Sequence, residues 1–339
     1  MKITHIHIER FRGFQNEDFE VGSLLTAIAG QNGTQKSTLL GIITQTFTLK
    51  TEDSMRVEKP LCGGSYISAF KDKFRLSPTF DKPKGHEWTI SFDAGMDDFT
   101  VESIKRTGDP NVRFWKKGAR QEGDGYISFP TIFLSLKRLV PVAEEAKIIT
   151  DDTLLTQEEL NEFKQLHNKI LIAQTPISSA TTITSKNKQS IGVSTELYDW
   201  NQNSMGQDNL GKIILALFSF KRLHDKYPRQ YKGGILAIDE MDATMYPASQ
   251  VELLKVLRKY ASKLNLQILF TTHSMSLLKA MDDLVQEVTK KEETANQAKI
   301  LYLKKVDDKI AIKQGVNFKG IQLDLNVVAE EKKRKKYKI

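Results

Sequence analysis

The first residues that could do chemistry form a glycine-containing segment with a lysine and neighbouring hydroxyl side chains. It comprises Gly30, Gln31, Asn32, Gly33, Thr34, Gln35, Lys36, Ser37 and Thr38. An apolar run at residues 24–29 precedes it and helical spacing follows, so it is close to the strand, G-x-x-x-x-G-K-[S/T], helix pattern. In such a loop, backbone N–H groups surround a β-phosphate, Lys36 neutralises β- and γ-oxygens, and the Ser37 hydroxyl ligates Mg²⁺. The segment predicts a nucleotide-phosphate site.

One residue of this segment departs from the pattern, because Gln35 stands where a glycine normally precedes the lysine. A side chain there would crowd the phosphates or require an unfavourable backbone angle. Gln35 therefore predicts slow hydrolysis more than it predicts a loss of nucleotide binding. An ordinary glycine-containing turn between a strand and a helix is the alternative for this segment taken alone.

A second group consists of two acids at the end of an apolar run, GGILAIDE at residues 233–240. Carboxylates at the C-terminal end of a buried parallel strand face the ligand edge of the sheet. Asp239 would then hold Mg²⁺, mostly through water, and Glu240 would polarise an attacking water as general base. Solvated acids at a strand end are the alternative for this pair alone.

Two further motifs lie near these acids in the sequence. The apolar run at residues 268–270 leads through two threonines to His273, and a neutral histidine there can hydrogen-bond a γ-phosphate and the catalytic acid. Ser204, Gly206 and Gln207 precede a helical segment, and serine and glycine ahead of a helix N-terminus form an anion site. Alone, this second motif indicates only a helix start.

The elements that must position these residues follow from hydrophobic periodicity. Ile3, Ile6 and Ile8 alternate with polar residues and predict a first strand, which pairs with residues 19–21 around Gly13. The remaining predictions are a helix at 36–47, an antiparallel meander at 88–114, a buried strand at 131–134, helices at 208–224, 248–264 and 275–281, and strands at 235–239 and 267–271. The last third alternates as a parallel α/β sheet does. Residues 142–200 predict an insertion, with a helix at 157–171 and a Ser/Thr-rich mobile loop or cap at 178–190.

Bulk composition narrows the class of protein. The 339 residues are 40% hydrophobic, enough for one large α/β domain or two moderate ones. Lys plus Arg number 50 and Asp plus Glu 42, and part of the +8 surplus lies in the basic run 332–336 and Lys338, either a solvated tail or a nucleic-acid contact. The single cysteine, Cys62, excludes an intramolecular disulfide and a thiolate metal cluster. With no signal-peptide pattern and no apolar run of about 18 residues, a soluble cytoplasmic protein without a membrane span is expected.

Taken in chain order, GQNGTQKST, SMGQD, ILAIDE and TTHS resemble the phosphate loop, signature motif, Walker B strand and switch histidine of ABC-type ATPases. The turn Phe11-Arg12-Gly13-Phe14 resembles the one that opens the SMC, RecF and OLD branch, which implies that Arg12 reaches phosphate. The resemblance implies an α/β fold, a P-loop ABC-type ATPase head with an antiparallel β subdomain and a helical insertion, and ATP and Mg²⁺ as cofactors. Its implied parts are a head at 1–315, divided at 1–141, 142–200 and 201–315, and a C-terminal segment at 316–339.

The resemblance also implies a mechanism. Ser204, Gly206 and Gln207 would close over the γ-phosphate held by a second copy, so that ATP joins two heads in a dimer or larger assembly. Lys36, Glu240 and His273 would be the catalytic side chains, and Ser37 with Asp239 the magnesium ligands. No glutamine follows the predicted strand at 131–134 to serve as a Q-loop residue.

Several functions agree with this pattern. Residues 204–220 and 239–247 resemble ATPases of the bacterial anti-phage systems Septu, PARIS and retrons, which implies a sensor or regulator that controls a separately encoded effector, a nuclease or toxin. The chain is expected to lack room for the TOPRIM nuclease of OLD proteins. The alternatives are a RecF-like DNA-binding repair ATPase and a nucleotide-binding scaffold with little turnover.

Overall fold

The computed structural model describes residues 1–67, 70–93, 95–105, 112–119, 124–140, 147–151, 154–173, 175–185 and 189–324. The basic run at 332–336 and Lys338, for which the sequence suggested a tail or a nucleic-acid contact, lie outside the described residues. Among the described residues, no helix combines the length and the apolar character that crossing a membrane requires.

The centre of the fold is a six-stranded sheet whose order places the sequence motifs side by side. Its strands are β3 (Leu25–Gly30), β9 (Thr131–Leu134), β13 (Gly234–Ile238), β14 (Leu266–Thr272), β15 (Ala298–Val306) and β16 (Lys309–Lys313). The order is β16-β15-β3-β14-β13-β9, and every neighbouring pair is parallel except β15 with β16. The C-terminal ends of β3, β14 and β13 therefore lie next to one another at one edge of the sheet.

Both faces of the central strands β3, β14 and β13 are buried, which explains why these strands read as continuous apolar runs. In β13, Leu236 and Ile238 pack on one face, with the helices α4 (Met205–Lys226), α5 (Pro247–Lys263) and α6 (Met275–Val288). Ile235 and Ala237 face the other way, towards α1 (Lys36–Thr44) and a second sheet. The alternation follows from the two-residue period of a strand.

The second sheet is antiparallel, in the order β2-β1-β5-β6-β7. Its strands are β1 (Ile3–Phe11), β2 (Phe14–Glu20), β5 (Glu87–Phe92), β6 (Phe99–Lys105) and β7 (Val112–Lys116). Phe11, Trp88 and Phe114 form a buried aromatic cluster on the face that α1 covers. The predicted first hairpin and the predicted meander are both confirmed. This sheet and its core hold the Phe11–Phe14 turn against α1.

The insertion differs from its prediction in one segment. Residues 178–190 do not form a loop, because β11 (Ser179–Thr184) and β12 (Gln189–Ser194) make an antiparallel hairpin that β10 (Ile149–Asp151) extends to three strands. Threonine and isoleucine are β-branched and favour strands, and Ile183 and Ile191 are buried, so burial prevailed over the polar composition. The helix at 157–171 is confirmed as α3 (Gln157–Leu171), which begins at a Thr156–Glu159 capping box.

The predicted helix at 36–47 ends early. The helix α1 stops at Thr44, since Phe47 belongs to the short strand β4 (Phe47–Thr48), which pairs in parallel with β8 (Ile127–Ser128). The helix predicted at 275–281 extends further than expected, to Val288. A four-residue helix, α2 (Phe70–Lys73), lies between β4 and β5 in the chain.

Candidate functional site

The loop between β3 and α1 has the backbone that a phosphate cradle requires. Gly30 and Gly33 have φ angles of 155° and 82°, in the region that favours glycine. A Cβ on Gly30 would lie 2.5 Å from the Leu303 carbonyl oxygen, so this position has no space for a side chain. The loop is closed by Thr34, whose hydroxyl donates to the Gln31 carbonyl at 2.7 Å. An α-helix leaves the N–H groups of its first turn without intrahelical partners, and the first turn of α1 follows this loop directly.

The Lys36 side chain lies across this loop. It is 7% exposed, and its Nζ donates to the carbonyl oxygens of Gly30 and Gln31, both at 3.0 Å. Removal from water lowers the pKa of Lys36, while the charges of Glu240, Asp239 and Asp242 oppose that shift. The ammonium group is therefore placed between the phosphate loop and the acids.

Gln35 adopts the backbone angle that its sequence position predicted. It is the residue before α1, with φ 61° and ψ 32°, a left-handed conformation. Its side chain does not crowd the loop in this structure, because Oε1 accepts from the Gly13 N–H at 3.4 Å. A Cβ on Gly13 would lie 2.9 Å from Gln35 Nε2, so the Gln35 side chain packs closely against the Phe11–Phe14 turn. The effect of Gln35 on hydrolysis stays a prediction.

Ser37 and Asp239 meet although they are 202 residues apart in the chain. The Ser37 hydroxyl donates to Asp239 Oδ1 at 2.9 Å, and the Thr271 hydroxyl donates to the same oxygen at 2.7 Å. Thr271 also accepts from the Glu240 N–H at 2.6 Å. The parallel pairing of β3, β14 and β13 brings these groups together, as the sequence predicted for Ser37 and Asp239. Thr271 was missed.

Glu240 lies in the turn that follows β13. Its φ is 48°, a left-handed value that is uncommon for a residue with a side chain. Its carbonyl accepts from Arg138 Nη2 at 2.8 Å, and its N–H is held by Thr271. The backbone on both sides of Glu240 is therefore fixed, and the charge of its carboxylate acts on Lys36.

His273 follows β14 at the same edge of the sheet. Its backbone N–H approaches both carboxylate oxygens of Asp242 at 3.4 Å. Partial removal from water and the nearby Lys36 ammonium lower the pKa of His273, so the ring is neutral at pH 7. Neutrality is the state in which one ring nitrogen can accept a hydrogen bond while the other donates.

Arg12 approaches the phosphate loop from the antiparallel sheet. Its Nη1 donates to the Thr38 hydroxyl at 3.4 Å, and its guanidinium makes a two-pronged pair with Asp81 at 3.0 Å. Burial raises the pKa of Asp81, but hydrogen bonds from Arg12, the Ser77 N–H and His86 prevail and bring it to about 2. Arg12 is thus held beside the loop by a permanently ionised partner.

The signature residues lie at the start of α4. Ser204 accepts from the Gln207 N–H at 3.3 Å and donates its own N–H to Gln207 Oε1 at 2.8 Å, a reciprocal capping box. Gly206 approaches the turn after Glu240 so closely that a Cβ would lie 2.6 Å from the Thr244 carbonyl oxygen. None of these contacts involves the phosphate loop of the same copy.

Comparison with known proteins gives the family of this chain. The sequence profile of the family described as AAA ATPase domain matches residues 1–189 and 134–278 in overlapping segments. The chain belongs to this family. A search of curated proteins gave no match.

Solved structures show the fold of this AAA ATPase domain. The SMC head domain from Thermotoga maritima superposes with a TM-score of 0.50 at 14% identity, over 93% of this chain and 99% of that chain. The SmcHead bound to the C-winged helix domain of ScpA gives a TM-score of 0.50 at 13% identity, over 93% and 97%. The fold is accordingly a P-loop ABC-type ATPase head similar to those of SMC proteins, with mixed α/β content and an antiparallel sheet.

Within this AAA ATPase domain, the residues predicted from sequence fall into two groups. Around the β3–α1 loop lie Arg12, Gly30, Gln31, Asn32, Gly33, Thr34, Gln35, Lys36, Ser37, Thr38, Asp239, Glu240 and His273. Ser204, Gly206 and Gln207 form the other group, at the start of α4. Thr271, Arg138 and Asp242 were missed. For Thr271, the one available signal was its position two residues before His273. That position indicates no role until the neighbouring strand β13 and its acids are placed beside it.

Proposed function

We propose that this AAA ATPase domain binds ATP with Mg²⁺ at the β3–α1 loop and transfers the γ-phosphoryl group to water. The observation that carries the proposal is the 2.9 Å contact between the Ser37 hydroxyl and Asp239, beside the Lys36 ammonium. A lysine, a hydroxyl and a carboxylate around a glycine-containing loop are the groups that phosphate and its magnesium ion require.

The donor set fits magnesium. Ser37 and Asp239 offer oxygen atoms, which hard divalent cations prefer, and Asp239 is 5% exposed with its Oδ1 fixed by two hydroxyl donors. Magnesium bound there would neutralise charge on the phosphate oxygens. Ser37 and Asp239 would each give up the hydrogen bond between them to hold it.

The remaining side chains then have definite tasks. Lys36 exchanges its two loop carbonyls for phosphate oxygens, an exchange favoured by the stronger attraction between an ammonium and a phosphate. Glu240 holds and polarises the attacking water, and the neutral His273 orients it from the neighbouring strand. Arg12 adds a second cation to the same loop while Asp81 keeps it in place.

We further propose that the site is completed by a second copy of the chain. Ser204, Gly206 and Gln207 lie at a helix N-terminus, which attracts anions, and their contacts do not involve the loop of their own copy. Placed over the γ-phosphate of a partner copy, they would make ATP the link between two heads. The assembly is then a dimer or larger, opened and closed by nucleotide.

The biological role that we propose is regulation of a separate effector in bacterial antiviral defence. Support comes from the resemblance of residues 204–220 and 239–247 to ATPases of such systems. The test is expression of the chain with its native neighbouring genes and purification through a tag on the chain. A co-purifying nuclease or toxin whose activity depends on ATP supports the role, whereas a chain that protects cells without any partner contradicts it.

The RecF-like alternative rests on the basic run at 332–336. It is tested by DNA binding at low and moderate salt with and without ATP. Affinity that falls steeply with salt and rises with ATP would favour repair over defence.

The ATPase proposal is tested by phosphate release from the wild type and from Glu240→Gln. The substitution keeps the shape of the side chain and removes the base, so turnover should fall by about 100-fold or more while ATP still binds. Lys36→Ala is the companion variant and should lose ATP binding itself. Equal turnover by the wild type and Glu240→Gln would contradict the catalytic assignment.

A further inference from the structure

Arg138 is a buried cation directly beneath the proposed catalytic turn. It lies on the short helical turn Leu136–Leu139 that follows β9, and 4% of it is exposed. Its three nitrogens donate in three directions: Nε to Asn209 Oδ1 at 2.7 Å, Nη2 to the Glu240 carbonyl at 2.8 Å, and Nη1 to the carbonyls of Leu134 and Ser135 at 3.2 and 3.1 Å. One side chain therefore joins the end of β9, the helix α4 and the turn after β13.

Asn209 closes this arrangement into a ring. It is fully buried on α4, five residues after Ser204, and its Nδ2 donates to the Ala243 carbonyl at 2.9 Å. The helix that begins with the signature residues is thus connected twice to the turn that carries Glu240. One connection is direct, through Ala243, and the other passes through Arg138.

The charges around Arg138 suit this position. Burial lowers its pKa to about 10, and Asp239, Glu240 and Asp242 act in the opposite direction, so it remains a cation at neutral pH. The charges of these three acids therefore act on two separate cations, Lys36 and Arg138. Lysine could not replace Arg138 here, because a single ammonium cannot reach acceptors that diverge around a planar guanidinium.

The left-handed backbone of Glu240 gives the contact a consequence. A residue at φ 48° is held there only when its surroundings fix it. Three hydrogen bonds to the Glu240 backbone do so: its N–H donates to Thr271, and its carbonyl accepts from Arg138 and from the Ala243 N–H at 3.1 Å. A movement of the α4 N-terminus would shift Asn209, then Arg138, then the Glu240 carbonyl. The direction of the carboxylate follows the direction of that peptide.

We propose that Arg138 is a positioning residue that couples the signature end of α4 to the Glu240 turn, so that closure of Ser204 and Gly206 over nucleotide aligns the catalytic acid. The inference rests on the proposed ATPase function. Arg138 touches none of the reacting groups, so it should affect the chemical step without affecting ATP binding.

The test is Arg138→Lys, which keeps the charge and removes the divergent bonds. We expect kcat to fall about 10- to 100-fold, the loss that a small misplacement of a catalytic group produces, with the Kd for ATP changed by less than about threefold. Arg222→Lys is the matched control on the same helix: Arg222 forms a two-pronged pair with Glu159 in the insertion, far along α4 from the signature residues. Its kcat should stay within about twofold of the wild type.

Asn209→Ala provides an independent arm, which also serves if Arg138→Lys does not fold. It should lower kcat about tenfold with ATP affinity retained, and the double variant should lose less than the product of the two single losses because both act through one ring. A thermal melt of each variant establishes that it is folded.

The outcomes separate the two proposals. Suppose that the wild type hydrolyses ATP and that turnover depends on Glu240. The coupling alone is then overturned if Arg138→Lys keeps the wild-type kcat, or if the losses of the two single variants multiply fully in the double variant. Loss of ATP affinity equal to the loss of kcat also overturns it, since that is the result of a merely structural role. No turnover by the wild type overturns the proposed function and the coupling with it.

Discussion

Thr271→Val removes one hydroxyl from the centre of the site and leaves the shape of the side chain almost unchanged. Thr271 is fully buried in β14, where its Oγ1 accepts from the Glu240 N–H at 2.6 Å and donates to Asp239 Oδ1 at 2.7 Å. Valine would leave the first group without its acceptor and the second without one of its two donors. A single atom therefore contacts both the proposed general base, Glu240, and the proposed magnesium ligand, Asp239.

The magnitude follows from the two bonds. A hydrogen bond to a charged acceptor contributes about 1.5–3 kcal/mol, and a buried N–H left unsatisfied costs about 1–3 kcal/mol. Because the two bonds share one oxygen, their effects are not additive, and we expect the free energy of unfolding to fall by about 3 kcal/mol. Misdirection of Glu240 should also lower kcat by about 10- to 100-fold. Because Asp239 would be held less firmly, the variant should require more Mg²⁺ than the wild type for half-maximal activity.

The assays are chemical denaturation and phosphate release across a Mg²⁺ titration. Thr271→Ser is the matched control, because it retains the hydroxyl and loses only a methyl group, worth about 1 kcal/mol. Its kcat and Mg²⁺ requirement should stay close to those of the wild type. The reasoning about this hydroxyl is refuted if the free energy of unfolding of Thr271→Val lies within about 0.5 kcal/mol of the wild-type value and the variant hydrolyses ATP with the wild-type Mg²⁺ requirement.

Two further predictions concern Gln35 and His167. Gln35→Gly should hydrolyse ATP faster than the wild type, because glycine adopts φ 61° without the cost of about 1 kcal/mol and the contact with Gly13 is lost. Gln35→Val should weaken ATP binding, because a β-branched side chain is least tolerated at this backbone angle. Equal phosphate release and equal ATP affinity in the wild type and both variants would exclude a role for this position. Burial lowers the pKa of His167 to about 4, so as pH falls below about 6.5 the unfolded chain takes up the proton first and stability is lost. Denaturation should show the wild type about 2 kcal/mol less stable at pH 5 than at pH 7 from this group, with the loss absent in His167→Phe; an identical pH dependence of the two proteins would contradict the burial argument.

The sequence was sufficient for the parts of the site that lie on strand ends. Every residue of β13 and β3 but Gly30 is buried, so each strand reads as an apolar run that stops where its polar groups begin. The parallel order of neighbouring strands then required that Ser37 and Asp239 lie close together. In the structure the Ser37 hydroxyl lies 2.9 Å from Asp239 Oδ1, and the role of the two residues in holding magnesium stays a prediction.

Other features depended on contacts that no local pattern encodes. The hairpin at β11 and β12 is rich in serine and threonine, and composition alone favoured a loop until the burial of Ile183 and Ile191 was known. Arg138 and Glu240 are 102 residues apart, and nothing near either one indicates the other. Arg12 was expected to reach phosphate, but its pairing with Asp81 could not be inferred, because the acid lies in a turn 69 residues away.

The central claim is that one complete site takes Lys36 from one copy and Ser204 from another. It is tested by measuring ATP turnover of Lys36→Ala, of Ser204→Arg, and of their equimolar mixture. Each variant alone should be inactive, whereas in mixed dimers one of the two sites is intact, so the mixture should recover up to about a quarter of wild-type turnover. A mixture as inactive as its components, formed from variants shown to exchange subunits, would contradict the account.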